Sequence, residues 1–290
     1  MINKLVIVGV GLIGGSLAMA LRQAGAVKEI VGVGRSRENL ETARTLGIID
    51  RIETSLADAV HEADVIVLAV PVAAMLPTIK ELAPHLSPTT IVTDVGSTKR
   101  DVIGYAQQQL PNHLGRFIPG HPIAGAEKSG AAAAFTDLFH GRNVVVTPLP
   151  ENETEAVSRI TRMWQTCGAI VNIMPALKHD EIFAAVSHLP HLLSFALVED
   201  IAFRPNAKEL FSYAAGGFRD FTRIAGSHPE MWRDICLANR DVLIREIDTY
   251  QSQLDRLRGM LEQNDGKSLE EVFGHARTAR ADWLAGKQDS

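Results

Sequence analysis

Short, wholly apolar runs alternate with helix-forming stretches over the first 175 positions, and that rhythm then stops. Leu5-Val6-Ile7-Val8 has no polar residue on either face, as a parallel strand covered on both sides requires. It leads into glycines, and Ser16–Arg22 follows as a strong helix former. Glu29–Val33 is a second strand and Arg37–Leu46 a helix stopped by Gly47. Ala63–Val70, ended by Pro71, and Thr90–Asp94 are further strands, the latter followed by a helix from about Thr98 to Gln109. Phe117-Ile118-Pro119 and Asn143–Thr147 continue the series, and Ile170–Ile173 follows a helix at 151–166. Repeated βα units of this size predict a Rossmann-type, doubly wound, mostly parallel α/β sheet with right-handed crossovers.

From Lys178 onward the strand signals vanish, and 178–203, 207–215, 229–263 and 268–285 read as helices. The pattern thus predicts a Rossmann-type domain over 1–175 and an all-helical domain over 176–290. Val242, Leu243, Ile244, Ile247, Tyr250, Leu254, Leu257 and Leu261 keep a helical apolar period over many turns. Such a stripe needs cover, from the partner subunit of a homodimer or from an intrachain bundle. Lys287–Ser290 reads as a frayed tail.

Residues 5–21 carry no charge, but four glycines and a length below the roughly 20 residues a bilayer needs argue against a spanning helix. No later stretch reads as long and apolar enough, so the expectation is a cytoplasmic protein with no membrane partner. A net charge of −5 without a basic run argues against nucleic acid. Cys167 and Cys236 stand far apart and make neither a disulfide framework nor a zinc pattern.

Chemistry enters at Gly9-Val10-Gly11-Leu12-Ile13-Gly14, set between strand and helix. Gly9 permits a tight turn, Gly11 removes the Cβ that would block a pyrophosphate, and Gly14 lets helix and strand pack closely. The phosphates then meet the helix N-terminus, at the amides around Leu12 and Ile13. Val70 and Pro71, where a neighbouring strand ends, are expected to flank the same cofactor. The acid that usually accepts from the adenine ribose, about 20 residues on, is missing: Gly34 stands there, followed by Arg35, Ser36 and Arg37. Two guanidinium forks and a hydroxyl suit a 2′-phosphate, so NADP is expected over NAD.

Five further segments are Asp94–Lys99, His121-Pro122-Ile123-Ala124-Gly125, Ser187–His191, Gly216–Arg223 and Met231–Asp234. In this order and spacing, with the glycine loop, they resemble the prephenate/arogenate (cyclohexadienyl) dehydrogenases of tyrosine biosynthesis over nearly the whole chain. The resemblance implies a Rossmann-type domain, a helical dimerisation domain and an oxidative decarboxylation. Hydride leaves C4 of a cyclohexadienol for the nicotinamide, the C4 hydroxyl proton is drawn off, and CO2 departs. By match to the family motif His121 is the base, a task suited to an imidazole with a pKa near 6–7. Ser97 is expected to orient His121 and to touch both hydroxyl and nicotinamide, or else to cap the helix behind it. The match gives Arg223 to the ring carboxylate, steadied by Asp220, and places His191, His179 and Trp232 in the substrate pocket. His188-x-x-His191 could also be a metal pair, but without companions at ligand spacing no metal is expected. Where family members carry Thr before Glu, this chain has Ala126 before Glu127. That substitution leaves the choice between prephenate's keto group and arogenate's ammonium open, with Glu127 able to favour the latter.

Two other readings share the nucleotide domain. A β-hydroxyacid dehydrogenase or imine reductase would centre on a Lys or Asp in its helical domain. A catalytically silent NADP-sensing regulator would have no reason to keep His121, Ser97 and Arg223 together.

Overall fold

A computed structural model describes residues 1–126 and 128–286. The apolar runs form one six-stranded parallel sheet from β1 (Ile2–Val8), β2 (Val27–Val33), β3 (Arg51–Glu53), β4 (Val65–Leu68), β5 (Ile91–Asp94) and β6 (Phe117–Ile118). The spatial order is β3-β2-β1-β4-β5-β6, with the reversal of direction between β1 and β4. Because successive side chains point to opposite faces, each strand feeds two cores. Leu5, Ile7, Ile30, Val65 and Val67 pack on one face against α1 (Leu12–Gln23) and α2 (Arg37–Thr45). Val6, Val8, Val31, Ile66 and Val92 pack on the other against α3 (Leu56–Val60), α4 (Val72–Leu82) and α5 (Arg100–Gln109).

After β6 the chain departs from the expected series. β7 (Gly120–Pro122), β8 (Asn143–Val146) and β9 (Ile170–Ile173) make a separate three-stranded sheet, with α6 (Thr154–Thr166) between β8 and β9. β7 runs antiparallel to β8, which sets His121 opposite Val145, while β8 and β9 are parallel. Hydrophobicity alone could not separate these strands from the main sheet, since Val144, Val145 and Val146 are as buried as the strands of β4.

Among the described residues no strand follows Ile173. α7 (Ala176–Phe183), a single π turn (Ala184–His188) and α8 (Leu189–Ala202) form one helical run, followed by α9 (Ala207–Ser212), α10 (Gly216–Thr222) and α11 (Pro229–Ala238). The run 176–202 corrects one expectation, for by length and a mean hydropathy of 1.4 it could cross a membrane. Its His179, Asp180, His188 and Ser194 are nevertheless buried within the protein. The expected helix 229–263 is two helices, α11 and α12 (Arg240–Glu262), because Asn239 leaves helical geometry between them.

Compact packing divides the chain later than the change of pattern at 175: residues 1–240 form one unit and 241–290 another. The second holds nearly all of α12 and α13 (Gly266–Gly286). It leaves Ile244, Leu254, Leu261 and Phe273 exposed along its helices. The predicted tail 287–290 lies outside the described residues.

Candidate active site

The glycine loop folds as its sequence requires. Gly9 has φ +98°, and a Cβ there would run into the backbone of Ala69. A Cβ on Gly14 would lie 2.5 Å from the Gly9 carbonyl oxygen and 2.7 Å from Ile7. At Gly11 nothing lies within 4 Å of the Cβ position. α1 has no side-chain cap, and its first i→i−4 bond is donated by Gly15, so the amides of Leu12, Ile13 and Gly14 come before the helix ladder begins. This open cradle lies where the strand order reverses, with Val70 and Pro71 beyond the end of β4 on its other wall. It fits a dinucleotide pyrophosphate.

At the ribose end the three expected residues separate. Ser36 caps α2, its Oγ accepting from the Asn39 amide at 3.2 Å. Arg37 lies 3.3 Å from Glu41 on the surface. Arg35 is exposed and makes no ion pair or hydrogen bond with a described residue, so it is the guanidinium left available.

His121 occupies the middle of β7 and is buried, edge-on to Phe183 with ring centroids 4.9 Å apart. Burial pushes its pKa well below the usual 6.5, and neighbouring His179, Lys99 and His188 push the same way. The base is therefore neutral at lower pH than a value near 6–7 would give.

The strand bearing His121 is held by a buried ion pair. Lys99 Nζ bonds Asp94 Oδ2 and donates to the Gly120 carbonyl at 2.7 Å. Asp94 in turn accepts from the amides of Gly96 at 2.8 Å and Gly120 at 3.1 Å. Both side chains are 0% exposed.

His179 differs from its expected place on the substrate. It is 0% exposed, with Nε2 2.8 Å from His121 Nδ1 and Nδ1 2.8 Å from Asp180 Oδ1. Both ring nitrogens are engaged by protein, which leaves none for a ligand. Asp180 also accepts from the amides of Lys99 at 2.9 Å and Arg100 at 3.0 Å, and from Arg100 Nε at 3.1 Å. A carboxylate from α7 thus caps α5, and Ser97 does not. Ser97 is half-buried and makes no hydrogen bond to His121; the ring partner of His121 is His179. Asn239, fully buried at the end of α11, donates to the Asp180 carbonyl at 2.8 Å and accepts from Arg100 at 3.2 Å. Asp180, Lys99 and Asn239 went unnoticed as site residues, because their partners lie up to 81, 81 and 139 positions away.

His191 and Trp232 come together, stacked with ring centroids 3.5 Å apart and planes 17° from parallel. His191 Nδ1 bonds the Ser187 carbonyl at 2.9 Å. Burial lowers the His191 pKa, and nearby Arg223 lowers it further. Trp232 is buried with its indole N–H unpartnered among protein atoms. Arg223 is exposed, just after α10. Asp220 is also exposed, 3.5 Å from Arg219 Nε. Glu127 lies outside the described residues. Among those described, no group of three or more His, Cys, Asp or Glu could hold a metal ion.

Comparison with known proteins gives the family. Residues 17–173 match the nucleotide-binding domain of prephenate dehydrogenase and 175–275 its dimerization domain. A prephenate dehydrogenase of Bacillus subtilis is 37% identical over 96% of this chain and 75% of its own length. A cyclohexadienyl dehydrogenase of Zymomonas mobilis is 36% identical over 96% of this chain and 95% of its own. Among solved structures, prephenate dehydrogenase from Aquifex aeolicus, in complex with hydroxyphenyl propionate and NAD+, superposes with a TM-score of 0.91. It is 36% identical and covers 97% of this chain and 98% of its own. Synechocystis arogenate dehydrogenase gives 0.82 at 31% identity, over 97% and 99%. With a nucleotide cradle, a buried histidine beyond it and both domain models spanning the chain, this protein belongs to the prephenate dehydrogenase family.

Proposed function

We propose that this protein oxidatively decarboxylates prephenate, arogenate or both in tyrosine biosynthesis, with NADP preferred over NAD, as a cytoplasmic homodimer. The observation that carries the reading is His121: a buried imidazole with its pKa pushed well down, tied at Nδ1 and with no partner at Nε2 among the described residues, on the strand beyond the cradle.

The glycine cradle would hold the dinucleotide, whose nicotinamide would supply the hydride acceptor. The chain supplies the rest. His121 Nε2 takes the C4 hydroxyl proton, and burial favours the neutral ring that can act as a base. Arg223 offers the ring carboxylate a cation, and the His191–Trp232 stack offers the substrate side chain an apolar wall with one N–H, that of the Trp232 indole. Free Arg35 supports the NADP preference. The exposed apolar residues of α12 and α13 support the homodimer.

The test is reduction of NADP or NAD at 340 nm with prephenate and with arogenate, for wild type and His121→Asn. The variant is expected to lose kcat by roughly 10²–10⁴-fold with KM little changed. Near-normal kcat in His121→Asn would place the base elsewhere.

A further inference from the structure

Resting on the reading of His121 as the base, we propose that Asp180 is a positioning residue. Acting through His179, it fixes the proton of His121 on Nδ1 and leaves the Nε2 lone pair to take the substrate's hydroxyl proton.

The argument is a count of protons along a buried chain. The Asp180 carboxylate receives two backbone N–H groups and a guanidinium N–H from the start of α5. Burial works against its charge, yet the bonds from His179 and from the amides of Arg100 and Lys99 hold its carboxyl below the ordinary range. An ionised carboxylate has nothing to donate, so the 2.8 Å contact with His179 Nδ1 is an N–H donated by the ring. A neutral imidazole carries one N–H, so His179 Nε2 is a bare lone pair. The 2.8 Å contact between that atom and His121 Nδ1 must then be donated by His121. His121 has spent its only proton there, and Nε2 is the free base.

The competing arrangement has His179 doubly protonated and His121 accepting at Nδ1, with its proton on Nε2 and no basic atom for substrate. Burial opposes that charge on His179, and Lys99 opposes it too, while Asp180 and Asp94 favour it; the net shift is downward. His121 itself faces Lys99, His179 and His188, which all disfavour a standing charge. When His121 accepts the substrate proton, its imidazolium still donates at Nδ1 towards His179 and the Asp180 carboxylate behind it. The same carboxylate caps α5, so one group sets both the loop leading from β5 and the tautomer of the base.

Two measurements decide this. Histidine 15N NMR of the full chain at pH 8, assigned with His121→Asn and His179→Asn, should show both rings protonated at Nδ1 with bare Nε2. A bare Nδ1 on His121 overturns the proposal whether or not the substrate is correctly identified. In Asp180→Asn the amide can turn N–H groups to His179 Nδ1, which drives its proton to Nε2 and forces His121 to accept at Nδ1. That variant should lose kcat by roughly 10²–10⁴-fold, with both KM values within about threefold. Its His121 resonances should change to the other tautomer, with the acidic limb of kcat/KM moved to lower pH. A merely structural Asp180 would lower the active fraction and leave tautomer and limb in place, which overturns the proposal; kcat within about threefold of wild type does so too. Failure of the reading of His121 as the base would appear separately, as near-normal kcat in His121→Asn, and failure of the dehydrogenase reading as no reduction of NADP or NAD by wild type with either substrate.

Discussion

Replacing Lys99 with Met tests whether the buried ion pair carries the strand that bears the base. Met is close in length to the lysine stem but removes the charge, and Asp94 is left as a buried, 0% exposed carboxylate. Breaking one side of a buried pair typically costs 3–5 kcal/mol, because the surviving charge stays desolvated without its counterion. Here Asp94 keeps the amides of Gly96 and Gly120, so the loss is expected near the lower bound, about 3 kcal/mol. The Gly120 carbonyl also loses its 2.7 Å donor. For a chain of this size about 3 kcal/mol corresponds to a fall in Tm of roughly 6–12 °C. Urea titration followed by tryptophan fluorescence should show a lower midpoint at unchanged slope. Asp94→Asn combined with Lys99→Met removes both charges and should recover at least about 1.5 kcal/mol of the single-variant loss. A loss under about 1 kcal/mol in Lys99→Met, or a double variant no more stable than the single one, would refute the claim that this pair is electrostatically closed.

Other expectations follow from the same geometry. Arg35→Ala should raise KM for NADP by tenfold or more and leave NAD nearly unchanged; an equal loss with both cofactors would make Arg35 structural. Arg223→Ala should raise KM for the ring-carboxylate substrate by roughly 30-fold or more, the factor equivalent to about 2 kcal/mol, and an unchanged KM rejects the role. His188, 1% exposed, has its pKa pushed down by burial from 6.5 to about 4. The unfolded chain therefore takes this proton first, so stability is complete above pH 6.5 and falls between pH 6.5 and about 4, by roughly 3 kcal/mol. His188→Gln should flatten that part of the pH–stability curve, and an unchanged slope would assign acid sensitivity to other groups.

What the sequence made legible follows the range of each interaction. The β1–glycine–α1 unit lies within 25 residues and each glycine has a local reason, so the cradle could be read directly. His121 could be identified from its motif, but its partners could not. Asp180 reads like any helix-surface acid in Lys178-His179-Asp180-Glu181, and only the fold brings it to the amides of α5. Asn239 sits inside a periodic apolar pattern, and its fully buried amide overrides helix propensity there. The departure of β7–β9 from the main sheet was invisible because the Val-rich β8 looks like a main-sheet strand and Gly120-His121-Pro122 gives no strand signal. The polar β3, Arg51-Ile52-Glu53, gave no strand signal and forms by pairing with β2 at the sheet edge.

The π turn at 184–188 has a rotational consequence. His179 and His191 are twelve residues apart, and in an unbroken α-helix, at about 100° per residue, they would point about 120° away from each other. A π turn takes up one extra residue without advancing the helix by that residue's angle, which cancels about 100° of the difference. The ring that supports the base and the ring stacked on Trp232 are thereby left within about 20° of a common direction, although α7 and α8 are one continuous rod. The turn works as a phase shifter. Exposed Val186 lies within it, and deleting that single residue would leave eleven α-helical steps between His179 and His191, about 20° once more, so α8 would keep the register that the π turn now gives it.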